Sequence, residues 1–236
     1  MHLLRPLLAA CLALCVPFST ARGGEINTLT AEESAAGWKL LFDGKTLSGW
    51  QPIGKAELPT KGWIVQDGSI FHAKGGGGGD IVTVEQFGSF ELTWEWKIGA
   101  AGNSGVKYCL PNAAKNTGFE YQLLDDQKHP DGKRANHQTA ALYDLIEPGP
   151  ERKVKPVGEW NQSRLLASGA HVEHWLNGVK ILEFDMGSDD MKARIAKSKY
   201  RNVPNFGEVT KSPILLQDHS DEVAFRNLKV RTLETK

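Results

Sequence analysis

Alternation of apolar and polar residues is the strongest pattern along this chain, and it predicts β-strands. The clearest case is Phe90 to Ile98 (FELTWEWKI), in which every second residue is apolar. Successive side chains of a strand point to opposite faces, so this segment should have one core face and one polar face. The segment Gly118 to Asp126 (GFEYQLLDD) alternates similarly and places Glu120 and Gln122 on one face, roughly 6–7 Å apart. This carboxylate and amide could bind a polyhydroxylated ligand, although a solvated outer sheet face shows the same alternation.

Turn signals divide much of the remaining chain into short strands. Asp67-Gly68 and Asn177-Gly178 lie between apolar runs and predict two hairpins. Asn103-Ser104-Gly105 predicts a turn, and the five glycines from Gly75 to Gly79 predict a mobile loop. Further strands are predicted over residues 106–110, 140–145, 160–166, 213–219 and 223–231, with the last two paired across Ser220-Asp221.

Helix signals are few. Thr30 and Glu33 have the spacing of a capping box, and Ser188 followed by two acidic residues predicts a helix that runs to about Lys199. About a dozen short strands with one short helical insertion predict an all-β fold, which we interpret as a two-sheet jelly-roll sandwich. One sheet of such a fold commonly presents a ligand-binding face. The candidates for that face are Glu95, Glu120, Gln122 and His219.

The N-terminus has the pattern of an export signal. A short basic start and an apolar run from Pro6 to Phe18 precede the small residues Ser19 to Ala21. We therefore expect a signal peptide over residues 1–21, a linker over 22–36, and a single domain over 37–236 in the periplasm or outside the cell. A lipoprotein box at Leu8 to Cys11 is the alternative, but it comes early in the apolar run. No segment reaches the roughly 20 apolar residues of a membrane span.

Charge and cysteine content narrow the classes of function. The chain has 28 basic and 28 acidic residues, with no dense basic tract to attract nucleic acid. We therefore expect a neutral partner. Removal of the predicted signal peptide leaves Cys109 as the single cysteine, so no internal disulfide is expected. Cys109 lies in a strand-like run, which favours a buried apolar role over a catalytic thiolate.

Seven motifs in order resemble the 3-keto-disaccharide hydrolase family. They span about Gly37 to Leu233 and read GWKLLFDGKTLSGW, FELTWEWKI, NSGVKY, TGFEYQLLDD, GEWNQSR, VEHWLNGVK and ILLQDHSDEVAFRNLKVR. The resemblance implies a concanavalin A-like jelly roll of the lectin/glucanase type. It also implies a 3-keto oligosaccharide or glycoside as substrate, supplied by an upstream sugar 3-dehydrogenase. A long basic insertion over residues 185–212 departs from the family pattern and leaves substrate size open.

The implied chemistry requires a base, an enolate stabiliser and an acid for the leaving group. A ketone at carbon 3 acidifies the proton on carbon 2, so its removal allows the group on carbon 1 to leave, and water adds afterwards. The catalytic candidates are Glu120 and His219, since a carboxylate or a neutral imidazole can take that proton near neutral pH. The candidates for substrate binding are Glu95, Asn103, Gln122, Tyr143, Gln217 and Arg226.

A metal requirement remains open at this stage. A divalent cation could replace the enolate stabiliser, with His219, Asp218 or Glu120 as ligands, but no ligand spacing in the sequence is specific for a metal. The polar loop over residues 126–139 adds His129, Arg134 and His137 as residues that could line a site.

Two other functions compete with 3-keto-glycoside cleavage. An ordinary sandwich-fold glycosidase would need two carboxylates about 5–10 Å apart, and Glu95 with Glu120 is the pair that could serve. A non-catalytic carbohydrate-binding module would use the same face without an essential base. His174 alternates with apolar residues, where a structural histidine and a functional one are equally compatible with the pattern.

Overall fold

The computed structural model describes residues 25–208 and 211–234, which form two antiparallel β-sheets packed face to face. The larger sheet contains, in spatial order, Val179–Asp185 (β11), His171–Leu176 (β10), Asn161–Ser168 (β9), Phe90–Ile98 (β6), Val223–Thr232 (β13), Ser69–His72 (β4) and Trp63–Gln66 (β3), with Lys39–Leu40 (β1) also on β13. The smaller sheet contains Trp50–Pro52 (β2), Ile81–Thr83 (β5), Leu215–Leu216 (β12), Asn103–Tyr108 (β7) and Phe119–Leu124 (β8). The predicted two-sheet jelly-roll sandwich of the concanavalin A-like type is confirmed.

The core lies between the sheets and is built from the apolar faces of alternating strands. In β6, Trp94 and Trp96 are buried, as the alternation predicts. Trp94 meets Tyr121 of β8 edge to face, with ring centroids 5.0 Å apart. The Trp96 Nε1–H group donates to Ser163 Oγ at 2.9 Å, so its polar atom is satisfied inside the core. Because β8 uses Tyr121 to reach the larger sheet, its alternate residues must point outward.

Local signals placed the hairpins and helices correctly. The Asp67-Gly68 turn joins β3 to β4, and both residues have a positive φ, as tight hairpin turns require. The Asn177-Gly178 turn joins β10 to β11 in the same way. Helix α1 (Ala31–Ala35) begins with the predicted capping box, and helix α2 (Asp189–Lys197) is capped by Ser188. Two 3-10 turns, Pro130–Lys133 and Ala135–His137, interrupt the predicted polar loop.

The expected pairing of segments 213–219 and 223–231 is wrong. Strand β12 is a central strand of the smaller sheet, between β5 and β7, whereas β13 lies in the larger sheet. Leu215 and Leu216 are both completely buried, so neither face of this short strand is the solvated face of a hairpin. The chain between the two strands therefore crosses from one sheet to the other and carries Asp218, His219 and Asp221 along one edge of the sandwich.

Two further boundaries differ from the expectation. Asn103-Ser104-Gly105 is the start of β7 rather than a turn. Pairing with β8 satisfies the backbone polar groups of this segment, and the Ser104 side chain is satisfied because its Oγ donates to Gln217 O at 2.8 Å. Residues 140–145 form no strand; Leu142 makes isolated bridges, and Ala140 N donates to Gln122 O at 2.9 Å, which ties the segment to β8. Positive φ angles at Ala140 and Asp144 interrupt the extended backbone there.

His174 and Cys109, for which the sequence allowed either a structural or a functional role, are both buried. His174 is fully buried, and its Nε2 accepts from Tyr108 OH at 2.7 Å while its Nδ1 donates to Ala140 O at 3.1 Å. Burial lowers the pKa of His174 to about 3, so the ring is neutral. Cys109 is buried in the core, as predicted. Both residues therefore contribute to packing.

The predicted signal peptide and the lipoprotein box lie outside the described residues, so export stays a prediction. Within residues 25–208 and 211–234, no helix has the length and apolar character needed to cross a membrane.

Candidate active site

A group of buried polar side chains covers the outer face of the smaller sheet. Strands β7 and β8 pair so that Lys107 is opposite Glu120 and Gly105 is opposite Gln122. These side chains alternate with core residues and therefore point away from the core. Even so, Glu120 is only 3 % exposed and Gln122 only 1 %. The prediction that Glu120 and Gln122 share one face is confirmed, and a simple solvated sheet face is excluded.

The Glu120 carboxylate lies directly over Gly105, where the sheet carries no side chain. A Cβ atom on Gly105 would come within 2.7 Å of Glu120 Oε1, so only glycine leaves this space open. With their amides oriented to suit their neighbours, Gln122 and Gln217 donate to Glu120 Oε1 at 3.2 and 3.3 Å. Two amides therefore hold one oxygen of the carboxylate in a fixed position.

Lys107 supplies the positive charge beside this carboxylate. Its Nζ atom lies 3.6 Å from Glu120 Oε2 and donates to Asn116 O at 3.1 Å. The Lys107 side chain is buried, so solvent screens the ion pair only weakly. Lys107 could not be recognised from the sequence, because only the register of β7 against β8 places it opposite Glu120.

A loop over residues 125–147 forms one wall of the site. Tyr143 N donates to Glu120 O at 3.0 Å, which ties the loop to the edge of β8. Tyr143 OH donates to Asp131 Oδ2 at 3.0 Å, and burial raises the pKa of Tyr143 above its ordinary range. The His137 ring packs against the Tyr143 ring at a tilt, with ring centroids 4.1 Å apart, and His137 Nε2 lies 3.1 Å from Asp144 Oδ1. The predicted candidates Tyr143 and His137 thus belong to one ordered group beside Glu120.

The insertion after β11 brings a second lysine to this wall. Lys199 follows helix α2, and its backbone N–H donates to Asp144 Oδ2 at 2.9 Å. The Lys199 Nζ atom lies 4.0 Å from the centre of the Tyr143 ring, within cation–π range. Although the side chain as a whole is exposed, burial of its ammonium lowers the pKa of Lys199, and the Glu120 charge opposes this shift. The insertion therefore contributes a cation to the candidate site.

The crossing between the sheets forms a rim of the site, next to His129 of the loop. Asn103 N donates to Asp221 Oδ2 at 3.1 Å, and the Asn103 side chain lies 3.3 Å from the Gln122 amide. His219 Nδ1 lies 3.6 Å from Asp221 Oδ2, and the His219 ring meets the His129 ring edge to face at 5.9 Å. The His219 side chain is 48 % exposed, so this rim is open to solvent.

The buried side chain of His72 contacts the residues on both sides of His219 along this rim. His72 is completely buried, and its Nδ1 lies 3.1 Å from Asp221 O while its Nε2 lies 3.3 Å from Asp218 Oδ1. Asp218 N in turn donates to Asp80 Oδ1 at 2.8 Å. Burial raises the pKa of Asp80. These contacts hold the backbone on both sides of His219.

Glu95 and Arg226 lie on the other sheet, and the prediction that they share a surface with Glu120 is wrong. Glu95 alternates with buried Trp94 and Trp96 in β6, so it points out of the larger sheet. Arg226 Nε donates to Glu95 Oε2 at 2.7 Å, and the Arg226 guanidinium stacks on Trp160 at 4.0 Å. Alternation within a strand does not say which sheet the strand joins. Both residues are therefore omitted from the site, and with them the Glu95–Glu120 pair of an ordinary glycosidase.

The residues that could hold a metal differ from the predicted ligand set. Asp218 is occupied by His72, and Glu120 by Lys107 and two amides, so neither joins His219. Instead, one potential ligand atom from each of His129, His219 and Asp221 lies within 4.8 Å of the others. Two imidazoles and a carboxylate are a donor set that suits divalent transition metals.

Comparison with known proteins identifies the family. The sequence profile of the 3-keto-alpha-glucoside-1,2-lyase-like domain matches residues 37–231. The chain belongs to this family. A curated relative from Bacteroides thetaiotaomicron, named 3-keto-disaccharide hydrolase, is 34 % identical over 246 aligned positions, which cover 90 % of this chain and 84 % of the relative. The resemblance read from the seven motifs is thereby confirmed.

Solved structures support the same fold for this family member. A protein from Parabacteroides distasonis ATCC 8503, described as a candidate glycosyl hydrolase, is 38 % identical with a TM-score of 0.80, covering 89 % of this chain and all of the other. A second protein of the same organism and description is 27 % identical with a TM-score of 0.66, covering 83 % and 99 %. A carbohydrate-binding module from Bacillus subtilis, 12 % identical with a TM-score of 0.51 over 78 % of this chain and 96 % of the module, shares the fold alone.

Proposed function

We propose that this member of the 3-keto-alpha-glucoside-1,2-lyase-like family is a glycoside-cleaving enzyme that acts on 3-keto disaccharides or related 3-keto glycosides. The observation that carries the proposal is the buried Glu120 carboxylate, held by two amides beside Lys107 on the outer face of the smaller sheet. A carboxylate in fixed orientation within a weakly screened environment is suited to remove a proton from carbon. The name of the curated relative supports the choice of substrate.

The reaction begins with proton transfer from carbon 2 of the sugar to Glu120. The ketone at carbon 3 accepts the electron pair as an enolate, and the bond from carbon 1 to the glycosidic oxygen then breaks. As this bond breaks, the enolate electron pair forms a double bond between carbons 1 and 2. The leaving oxygen takes a proton from solvent, and Glu120 returns to solvent the proton that it removed. Water adds a hydroxyl to carbon 1 and a proton to carbon 2, so the net result is hydrolysis.

The surrounding residues provide the remaining requirements. Lys107 and Lys199 are cations near the carboxylate that stabilise negative charge as it moves from the base into the sugar. Asn103, Gln122, Gln217 and Tyr143 are proposed to bind sugar hydroxyls, since they supply amide and phenol groups around Glu120. His219, on the exposed rim beyond Asn103, is proposed to act on the ketone side of the sugar.

The substrate must be produced by another reaction. A ketone at carbon 3 of a glycoside requires prior two-electron oxidation of the hydroxyl at that carbon, so we propose that a sugar 3-dehydrogenase acts upstream. We also propose that cleavage takes place in the periplasm or outside the cell, which the sequence pattern of an export signal supports.

A direct assay distinguishes the three candidate functions. The purified chain is incubated with a disaccharide, with the same disaccharide oxidised at carbon 3, and with a buffer control, and the released sugars are measured. Cleavage of the oxidised sugar alone supports the proposal. Cleavage of the native sugar supports an ordinary glycosidase, and binding of either sugar without turnover supports a carbohydrate-binding module. In deuterated water, incorporation of deuterium at carbon 2 of the product tests the elimination step, and its absence contradicts that step.

A further inference from the structure

We propose that His129, His219 and Asp221 bind one divalent transition-metal cation at the rim of the sugar site. His219 and Asp221 lie two residues apart on the crossing between β12 and β13, His129 comes from the loop after β8, and the fold brings one ligand atom of each to within 4.8 Å of the others. Atoms bound to the same zinc ion at about 2.1 Å lie at most about 4.2 Å apart. Small changes of rotamer therefore suffice to close the group around an ion.

The backbone around these ligands is already held in place. Asn103 N donates to Asp221 Oδ2 at 3.1 Å, which orients the carboxylate from the side of β7. Buried His72 contacts Asp221 O and pairs with Asp218, next to His219. Outer contacts of this kind orient metal ligands and raise the affinity of a site. The position of the ligands thus depends on the ordered part of the site rather than on an isolated surface loop.

A second group of possible metal ligands already has a lysine ammonium as its positive charge. His171, Glu173 and Glu183 also come within 4.8 Å of one another, on the edge hairpin of the larger sheet. There Lys180 Nζ lies 2.5 Å from Glu183 Oε2 and 3.4 Å from Glu173 Oε1, so an ammonium already supplies the positive charge. By contrast, no described lysine or arginine forms an ion pair with Asp221, whose ion-pair contact is His219. The group of His129, His219 and Asp221 therefore has no such ammonium among the described residues, and its two imidazoles and one carboxylate favour a metal cation instead.

His129 must give up one hydrogen bond in order to bind a metal through that nitrogen. In the structure, its Nδ1 accepts from Asp131 N at 3.2 Å, so the hydrogen of the neutral ring is on Nε2. An imidazole that binds a metal through one nitrogen carries its hydrogen on the other. Ligation therefore replaces the hydrogen bond from Asp131, and we expect the backbone amide signal of Asp131 to shift when the metal is added.

The proposed role of the cation rests on the function proposed above. Three protein ligands leave coordination positions open, and a cation on this rim could accept the ketone oxygen of the sugar there. His219 would then act on the ketone through the cation, while Glu120 remains the base. The sugar would be held between a cation on one side and the carboxylate on the other.

The test measures binding of metal without reference to turnover. The full chain is stripped with a chelator, dialysed and titrated with Zn²⁺, Co²⁺ and Ca²⁺, with metal content determined after removal of free ion. We expect one Zn²⁺ or Co²⁺ per chain and much weaker binding of Ca²⁺, which prefers oxygen ligands. His129→Ala, His219→Ala and Asp221→Asn should each weaken Zn²⁺ binding by at least about tenfold.

The matched control is His171→Ala in the second group, which should bind Zn²⁺ as the unaltered chain does. Circular dichroism and melting temperature identify any variant that fails to fold, and Asp221→Asn keeps an acceptor for Asn103 N. Substoichiometric binding, or binding that the three rim variants leave unchanged, overturns the proposal. If Zn²⁺ binds but 3-keto sugars are not cleaved, the proposed function fails while the metal site stands. If the chelator-treated chain cleaves 3-keto sugars and also fails to bind added Zn²⁺, the metal site fails while the proposed function stands.

Discussion

The Lys107 ammonium and the Glu120 carboxylate face each other across strands β7 and β8, 3.6 Å apart and both almost completely buried. Removing one member of a buried ion pair leaves the other charge without compensation and commonly costs about 3–5 kcal/mol of stability. In this environment we therefore expect Glu120→Gln to lower stability as well as activity. A variant that keeps the charge separates catalysis from folding more cleanly.

Glu120→Asp should lower the catalytic rate while largely preserving stability. The shorter side chain keeps a negative charge near Lys107 but withdraws the carboxylate by about one carbon–carbon bond, roughly 1.5 Å. Displacement of a reacting group by this amount can cost about 100-fold in rate. The measurement is kcat on a 3-keto disaccharide together with the melting temperature. An unchanged kcat would remove Glu120 from the proton-transfer step.

Glu95→Gln is the matched carboxylate variant on the opposite sheet. Glu95 pairs with Arg226 on the outer face of the larger sheet, away from Glu120. We expect kcat and KM within about twofold of the unaltered enzyme, since a partly exposed ion pair contributes little even to stability. A large loss of kcat would restore the two-carboxylate glycosidase as an explanation.

Lys199→Met should reduce kcat and remove part of the decline in activity at high pH. Burial lowers the pKa of Lys199, so the ammonium loses its charge at a lower pH than an ordinary lysine. The groups that share its environment are Glu120, Lys107, Asp131, Asp144, Tyr143 and Tyr200. Lys199→Arg should keep activity to higher pH, because a guanidinium does not titrate there.

The control for Lys199 is Lys192→Met, on the exposed side of helix α2. This variant should leave the pH profile unchanged. If Lys199→Met and Lys192→Met behave alike, the insertion has no electrostatic role in the reaction. If Lys199→Arg shows the same alkaline decline as the unaltered enzyme, another group causes that decline.

His174 should make the protein less stable below about pH 6.5. The pKa of His174 is lowered to about 3 by burial, whereas an unfolded histidine titrates near pH 6.5. Between these values the unfolded state binds a proton that the folded state does not, so stability falls as the pH decreases, by about 1.4 kcal/mol per unit. Urea unfolding at pH 7 and pH 5 measures this slope. His174→Phe should be less stable at pH 7 but should lack this part of the slope; an unchanged slope would contradict the assignment.

Gly62→Ala should destabilise the fold far more than Gly158→Ala. Both glycines have a positive φ, but a Cβ atom on Gly62 would lie 1.5 Å from Gly77 O, whereas nothing lies within 4 Å of one on Gly158. We expect a loss of about 3 kcal/mol or more for Gly62→Ala. The backbone penalty alone, about 1–2 kcal/mol, should apply to Gly158→Ala. Equal melting temperatures would show that the glycine-rich loop moves aside without cost.

Local sequence determined the elements themselves. Period-two alternation identified Phe90–Ile98 to the residue, and it placed Glu120 and Gln122 together on one face of β8. The Asn177-Gly178 turn and the Thr30 and Ser188 caps were also readable, because each depends on backbone geometry within a few residues. The class of fold followed from the number and length of these elements.

Tertiary structure decided which of the candidate residues come together in one site and which further residues join them. Alternation gives the face of a residue within its own strand but not the sheet that the strand joins, so Glu95 could not be separated from Glu120 by sequence. The Lys107–Glu120 pair depends on a cross-strand register, and Lys199 reaches Tyr143 from 56 positions along the chain. His129 and His219 meet because β12 joins the smaller sheet instead of pairing with β13. Pairings between distant segments are set by packing of the whole domain, and no local pattern encodes them.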